Sequence, residues 1–216
     1  MTELRIDIVS DVVCPWCYVG FTQLRAALDQ AGREAEIHWH PFELNPQMPP
    51  EGENLREHIA RKYGSTPEES DAARARLTAL GETLGIAIRF SEQSRIVNTF
   101  RAHQLLDLAA ERGCQTDLQL ALFAAYFGDG RDVSDIEVLV EVATQAGLDP
   151  AEARRTVETD ARLGVVRQKQ KVWTSQGITG VPAMVFDQRF LVTGAQGTET
   201  YARFIDELDR ARAEAP

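Results

Sequence analysis

Two cysteines, Cys14 and Cys17, are separated in the sequence by Pro15 and Trp16. Two thiols at this spacing can close and reopen a disulfide, and only the thiolate form attacks another disulfide. An alternating apolar run over residues 4–10 precedes the pair and a helix-like run follows it, which predicts that the pair lies where a strand turns into a helix. Because a helix N-terminus favours negative charge, Cys14 is predicted to attack and Cys17 to resolve.

The two residues between the cysteines complete the predicted redox motif. Pro15 suits the first helical position, since its missing N–H would have no partner there, and it stiffens the ring that the two sulfurs close. Trp16 is interpreted as an apolar contact for a client beside the thiol, or as a side chain packed in part against the insertion described below.

The same spacing is also half of a zinc site, but a structural zinc site needs four ligands. The sequence has no second CxxC, and its four histidines include no pair at helical i, i+4 spacing. The remaining cysteine, Cys114, follows Gly113 at an expected helix end and is interpreted as a bystander thiol. The sequence therefore favours a redox centre over zinc or an inert pair.

The composition predicts an ordinary globular chain without a basic surface. The 216 residues carry a formal net charge of −10 and show no Lys/Arg cluster, which argues against nucleic acid and anionic membranes as partners. The first seven residues alternate charged and apolar side chains, unlike a secretory signal, so a cytoplasmic location is expected. In that reducing compartment a CxxC is more often catalytic or redox-sensing than structural.

The order of the apolar patterns predicts an α/β domain interrupted by helices. A strand, a helix and a parallel strand form a βαβ unit at the start, and a hairpin and a helix follow residue 177. The stretch between them is helical in pattern, so residues 1–52 and 177–216 are predicted to form one domain and residues 53–176 an inserted helical one. The predicted bounds are 4–10, 19–31 and 36–40 for the first unit, and 181–186, 189–193 and 198–213 for the last.

Several short motifs spread over the whole chain carry a family resemblance. They are 11–17 with Gly20, Asn98-Thr99 with Ala102-His103, 122–127, Gly147-Leu148, Gly180-Val181-Pro182 and 194–196. On these residues the chain resembles the DsbA-like branch of the thioredoxin superfamily. Within it, the chain is most similar to cytoplasmic FrnE-type proteins, which are related to 2-hydroxychromene-2-carboxylate isomerases and kappa-class glutathione transferases. The resemblance implies an α/β thioredoxin fold (βαβ…ββα) with a large all-helical insertion.

The resemblance also implies substrate-binding residues. Val181-Pro182 is expected to be a cis bond beside the Cys14 sulfur, where the Val181 backbone can pair with a peptide or with glutathione. Asn98 is interpreted as a substrate-backbone contact or as a bond within the bundle. His103 is interpreted as a substrate contact or as a satisfied core histidine on the apolar side of its helix. No tightly bound cofactor or metal is expected, and glutathione is a candidate co-substrate.

Two departures from the relatives separate the candidate functions. The isomerase and transferase relatives usually carry serine where Cys14 stands, and DsbA has histidine where Trp16 stands. A thiol–disulfide oxidoreductase or isomerase acting on protein or peptide disulfides is therefore the leading hypothesis. A glutathione-dependent isomerase or transferase of small aromatic metabolites is the alternative. A third, non-enzymatic hypothesis makes the insertion a client-holding surface. A proton relay to Cys17 from Glu43, His38 or His40 stays open.

Overall fold

The computed structural model of the protein describes residues 4–214, so residues 1–3 and 215–216 of the predicted domain lie outside the described part. A mixed four-stranded sheet forms the centre of the fold, and its strands span Leu4–Ser10 (β1), Ala35–Pro41 (β2), Ala183–Phe186 (β5) and Phe190–Thr193 (β6). The strand order is β2-β1-β5-β6. β1 pairs parallel with β2 and antiparallel with β5, and β5 pairs antiparallel with β6.

The helix α1, Pro15–Gln30, connects β1 to β2 as the predicted parallel crossover. It begins four residues before the predicted start at residue 19, because the apolar periodicity starts later than the backbone turn that Pro15 opens. A C-terminal helix, α9 at Thr198–Glu214, packs against α1. The predicted hairpin is confirmed, since Asp187 and Gln188 both have positive φ in the turn between β5 and β6.

The insertion between β2 and β5 is mainly helical, and the predicted thioredoxin fold with a helical insertion is confirmed. Its helices span Leu55–Tyr63 (α2), Pro67–Leu84 (α3), Phe100–Arg112 (α4), Gln115–Phe123 (α5), Ile136–Gln145 (α6), Pro150–Glu158 (α7) and Leu163–Ser175 (α8). A π-helical turn, Ala124–Gly128, extends α5. The expected caps are present: Thr66 forms a capping box with Glu69, and Asp149 accepts from the backbone of Glu152.

The prediction that the insertion is all-helical is wrong at one place. Two short strands, β3 at Glu53–Asn54 and β4 at Arg95–Ile96, form a separate antiparallel pair. Two residues in each strand are too few to produce an alternating pattern in the sequence, and the partners are about 40 positions apart. Asn54 then caps α2 through its side-chain oxygen, so the strand pair fixes where α2 begins.

Aromatic side chains join the insertion to the sheet and to α1. The Tyr18 and Phe123 rings stack with centroids 4.9 Å apart, and the Phe21 and Trp39 rings lie 4.7 Å apart. The indole N–H of Trp39 donates to the Thr116 hydroxyl at 3.0 Å. These contacts hold the first turns of α1 against α5, which positions the cysteines relative to the insertion. None of the helices over residues 4–214 has the combined length and apolar character that a bilayer crossing requires.

Candidate active site

Cys14 occupies the position before the first turn of α1, where the sequence placed it. Its backbone is extended (φ −91°, ψ 111°), its N–H donates to the Asp11 carbonyl at 3.1 Å, and its carbonyl accepts from Cys17 N–H at 3.1 Å. Cys14 is thus the N-cap residue of α1, directly before the first helical turn, whose N–H groups have no intrahelical partner.

The entry to β5 closes one side of this sulfur. Cys14 Sγ lies 3.7 Å from the carbonyl oxygen of Val181, and the Val181-Pro182 peptide bond is cis. Both parts of the prediction for this turn are therefore confirmed. Pro182 in turn lies against α1, where a Cβ placed on Gly20 would come within 3.3 Å of the proline ring.

Cys17 is enclosed behind Cys14. Cys17 is 0% exposed, whereas Cys14 is 4% exposed, and neither is in a disulfide. Burial raises the pKa of the Cys17 thiol well above its ordinary value, and the neighbouring Cys14 sulfur raises it further. The Ser10 hydroxyl and the Asp11 backbone oppose this rise more weakly. The two sulfurs are thus chemically distinct, one at the helix start and one protonated in the core.

A groove of about 450 Å³ lies between α1 and the insertion, and Cys14 lines it. Its other walls come from α2, α3, the segment before β4 and the π-helical turn. Pro15, Trp16 and Val181 also line this space, which we call the thiol groove. Trp16 is 46% exposed, so roughly half of this residue's surface remains available for contact with another molecule. The size falls in the range of small-molecule sites, roughly 300–1,000 Å³.

The apolar stripes of α2 and α3 could be predicted from the sequence, but that they face the thiol groove could not. Leu55 and Ile59 of α2 and Leu77 of α3 line it. Lys62 and Arg74 line it too, and sequence reasoning missed both. Helical spacing could have identified Arg74 as a groove residue, because it lies three residues before Leu77 and so shares its side of α3.

Asn98 and His103 do not line the thiol groove. The Asn98 side chain donates to the Met48 carbonyl at 2.9 Å and accepts from Phe100 N–H at 3.0 Å. His103 is 2% exposed, and its Nε2 lies 2.9 Å from the Phe42 carbonyl oxygen. Both side chains therefore tie the loop after β2 to α4, and a substrate contact from either stays a prediction.

A buried carboxylate, Asp11, lies between the cysteines and His103. Its side chain accepts from Leu44 N–H at 2.7 Å, and its other oxygen lies 3.3 Å from His103 Nε2. Its backbone carbonyl accepts from Cys14 N–H. The sequence placed Asp11 in the family motif, but its contact with His103 depends on a helix more than 80 positions away. Asp11 anchors the turn that presents Cys14.

The three side chains considered for a proton relay form pairs elsewhere. His38 pairs with Glu36, His40 with Asp7, and Glu43 with Arg167 and Gln170. The groups that influence the Cys17 thiol are instead Cys14, Ser10 and Asp11. These three side chains therefore have structural partners, and a proton relay to Cys17 from any of them stays a prediction.

Cys114 directly precedes the first turn of α5 within the insertion, away from the strand–helix turn, and burial raises the pKa of its thiol. It packs with the apolar cluster of the insertion, whereas Cys14 and Cys17 belong to the cluster around the sheet. Within residues 4–214, His, Cys, Asp and Glu side chains form no group of three or more that could hold a metal ion.

Comparison with known proteins gives the same fold and places the chain in a family. The model of the DSBA-like thioredoxin domain matches residues 5–206. The chain is 28% identical over 97% of its length to uncharacterized protein YwbO of Bacillus subtilis, covering 99% of that protein.

Two solved structures have the same architecture. A probable DsbA oxidoreductase from Streptomyces coelicolor, SCO1869, is 35% identical with a TM-score of 0.88, over 99% of this chain and 92% of that one. The cytosolic disulfide reductase DsbM of Pseudomonas aeruginosa, solved with GSH, is 17% identical with a TM-score of 0.64, over 95% of this chain and 99% of that one. With a family match over nearly the whole chain and a free CxxC pair at the start of α1, this protein belongs to the DSBA-like thioredoxin domain family.

Proposed function

We propose that this protein is a thiol–disulfide oxidoreductase in which Cys14 attacks and Cys17 resolves. The observation that carries the proposal is the difference between the two sulfurs. Cys14 lies at the helix N-terminus and lines the thiol groove, while Cys17 is fully buried with a raised pKa. A nucleophile that substrate can reach and a protonated partner one turn behind it are what dithiol exchange requires.

The proposed reaction consists of two successive thiol–disulfide exchanges. The Cys14 thiolate forms a bond to one sulfur of the substrate disulfide, and the other substrate sulfur leaves as a thiolate that takes up a proton. Cys17 then loses its proton and attacks Cys14 Sγ, which releases the second substrate sulfur. The substrate disulfide is reduced to two thiols and the protein dithiol is oxidised to a disulfide. The reverse sequence oxidises a client, so the direction depends on the reduction potential.

The substrate side of the proposal has two candidates. Disulfide-containing proteins or peptides would pass across Val181, with Trp16 as an apolar contact. Glutathione would act as a co-substrate, a suggestion supported by the structure of DsbM with GSH. We further propose, from the motifs around Cys14, Asn98 and Pro182, that the protein is of the FrnE type and works in the cytoplasm.

A glutathione-dependent isomerase or transferase is the second candidate. The thiol groove favours it in one respect, because its walls are mostly apolar and would accept a small aromatic metabolite. In that mechanism glutathione supplies the reacting sulfur, Cys14 only holds it, and Cys17 has no role. The presence of the second thiol makes this function the weaker of the two.

The test is the redox equilibrium of the cysteine pair. Purified protein is equilibrated in buffers of varied reduced to oxidised glutathione, alkylated, and mapped by mass spectrometry. The oxidoreductase proposal predicts one two-electron transition that links Cys14 to Cys17 and leaves Cys114 alkylated. A protein that accumulates only a Cys14–glutathione adduct and never forms the internal disulfide would support the isomerase instead.

A further inference from the structure

Arg74 is a charged side chain that lines the thiol groove and forms no ion pair at close range with any other described residue. It extends from α3 with its guanidinium carbon 5.7 Å from the centroid of the Phe90 ring. Its Nη2 atom is buried and makes no hydrogen bond among the described residues. Burial lowers the pKa of this guanidinium from its ordinary value, because desolvation penalises the charged form. A buried, unpaired donor of this kind costs free energy that a bound anion would recover.

The carboxylates around Arg74 are already engaged. Asp71 and Glu92 interact with it at longer range, but both are paired with Arg56, at 2.8 and 3.0 Å. Neither therefore satisfies the Nη2 atom of Arg74.

The other charged side chains along the described groove walls have partners. Lys62 donates to the Leu44 carbonyl and to the Asn45 side chain at 2.9 and 2.7 Å. The Glu69 carboxylate accepts from Thr66 N–H at 2.9 Å in the capping box, and His58 pairs with Glu53. Among the described side chains that line the groove, Arg74 is thus the charged one that remains available to bind a charged ligand.

We infer that the thiol groove selects a low-molecular-weight disulfide that carries a carboxylate, with its sulfur at Cys14 and its carboxylate at Arg74. This inference rests on the proposed oxidoreductase function and adds the substrate class. A planar guanidinium binds a carboxylate through two parallel N–H bonds, which gives orientation as well as attraction. The groove volume of about 450 Å³ suits a small molecule, and its apolar walls suit the carbon chain between sulfur and carboxylate.

The test compares two disulfides that share the same two-methylene arm on each sulfur: dithiodipropionate, whose arms end in carboxylates, and hydroxyethyl disulfide, which is neutral. The rate constant for Cys14 is measured by stopped flow with each probe on the reduced full-length protein, and the readout is their ratio. Arg74→Gln is compared with Arg76→Gln, which removes an exposed arginine of the same helix that does not line the groove. Arg74→Lys keeps the charge but loses the fork geometry.

We expect Arg74→Gln to lower the anionic-to-neutral ratio by about tenfold, Arg76→Gln to leave it at the wild-type value, and Arg74→Lys to restore part of it. The wild-type ratio should also fall with added salt.

An unchanged ratio in Arg74→Gln, or equal slowing of both probes, would overturn the selection by Arg74 and leave the proposed oxidoreductase function unaffected. A wild-type protein that oxidises its dithiol only with a disulfide-bonded protein would show that a polypeptide fills the groove. Absence of reaction with any disulfide would remove the proposed function itself.

Discussion

The sulfur of Cys14 lies 3.7 Å from the carbonyl oxygen of Val181, although 167 positions separate the two residues in the chain. This contact brings the start of α1 and the entry to β5 together across the sheet. Cys14, which is 4% exposed, is thereby covered on one side by Val181 and lines the thiol groove on the other. In the proposed reaction, a substrate disulfide approaches it through this groove, between Trp16 and the insertion.

Trp16 is expected to contribute to substrate contact as well as to stability. Trp16→Ala should lower the free energy of unfolding by about 1–2 kcal/mol, because the residue is only 46% exposed and the rest of the indole is buried. If a peptide disulfide covers a further ~50 Å² of the indole, its loss removes about 1 kcal/mol of binding, or about fivefold in rate. Stopped-flow exchange with an apolar peptide disulfide measures this. Leu191→Ala, a 51% exposed residue on β6, is the control, and an equal loss there would contradict a specific role for Trp16.

Asp7 is expected to stabilise the sheet in a pH-dependent way. Burial opposes its ionisation, but hydrogen bonds from His40 and Arg5, at 2.7 and 2.8 Å, outweigh this and hold its pKa well below the usual range. Asp7→Asn should therefore lower the free energy of unfolding by about 1.5–3 kcal/mol at neutral pH. Because the folded pKa is depressed, this contribution is complete above the unfolded-state value of about 3.9 and is lost as the pH falls below it.

Urea unfolding of wild type and Asp7→Asn at several pH values tests this expectation. The difference between the two proteins should be largest near neutral pH and should shrink below about pH 4. Asp209→Asn, which removes a partly exposed ion pair with Arg33, should have the smaller effect. A difference that grows in acid would contradict the assignment.

Gly52 is expected to tolerate no side chain. It has φ +64°, and a Cβ there would overlap the carbonyl oxygen of Ile96 in β4. Gly85 has a similar φ of +71° with no atom near such a Cβ. Gly85→Ala should cost about 1–2 kcal/mol for the left-handed backbone, and Gly52→Ala about 1–3 kcal/mol more for the overlap. Equal losses in denaturant unfolding would show that the β3–β4 contact is looser than described.

The sequence predicted the parts of the site that depend on local pattern. Strand alternation before Cys14 and a proline after it were enough to place the thiol at a helix start, and the motif at Pro182 placed the cis bond beside it. The pairing of β3 with β4 was missed because two-residue strands leave no periodic signal. The unpaired state of Arg74 could not be predicted, since it depends on where Arg56, Asp71 and Glu92 meet in space. The sequence did place His103 on the apolar side of its helix, but its partner, the Phe42 carbonyl, depends on how α4 packs on the loop after β2.

The central claim is that the two sulfurs have different tasks, and trapping of mixed disulfides tests it most directly. Cys14→Ser, Cys17→Ser and Cys114→Ser are each incubated in reduced form with a peptide disulfide, and the adducts are followed by mass spectrometry. Cys17→Ser should accumulate a long-lived adduct on Cys14, because no thiol resolves it. Cys14→Ser should form no adduct at the buried Cys17, and Cys114→Ser should turn over like wild type. Normal turnover of Cys17→Ser without added thiol, or isomerase activity retained by Cys14→Ser with glutathione, would contradict the dithiol mechanism.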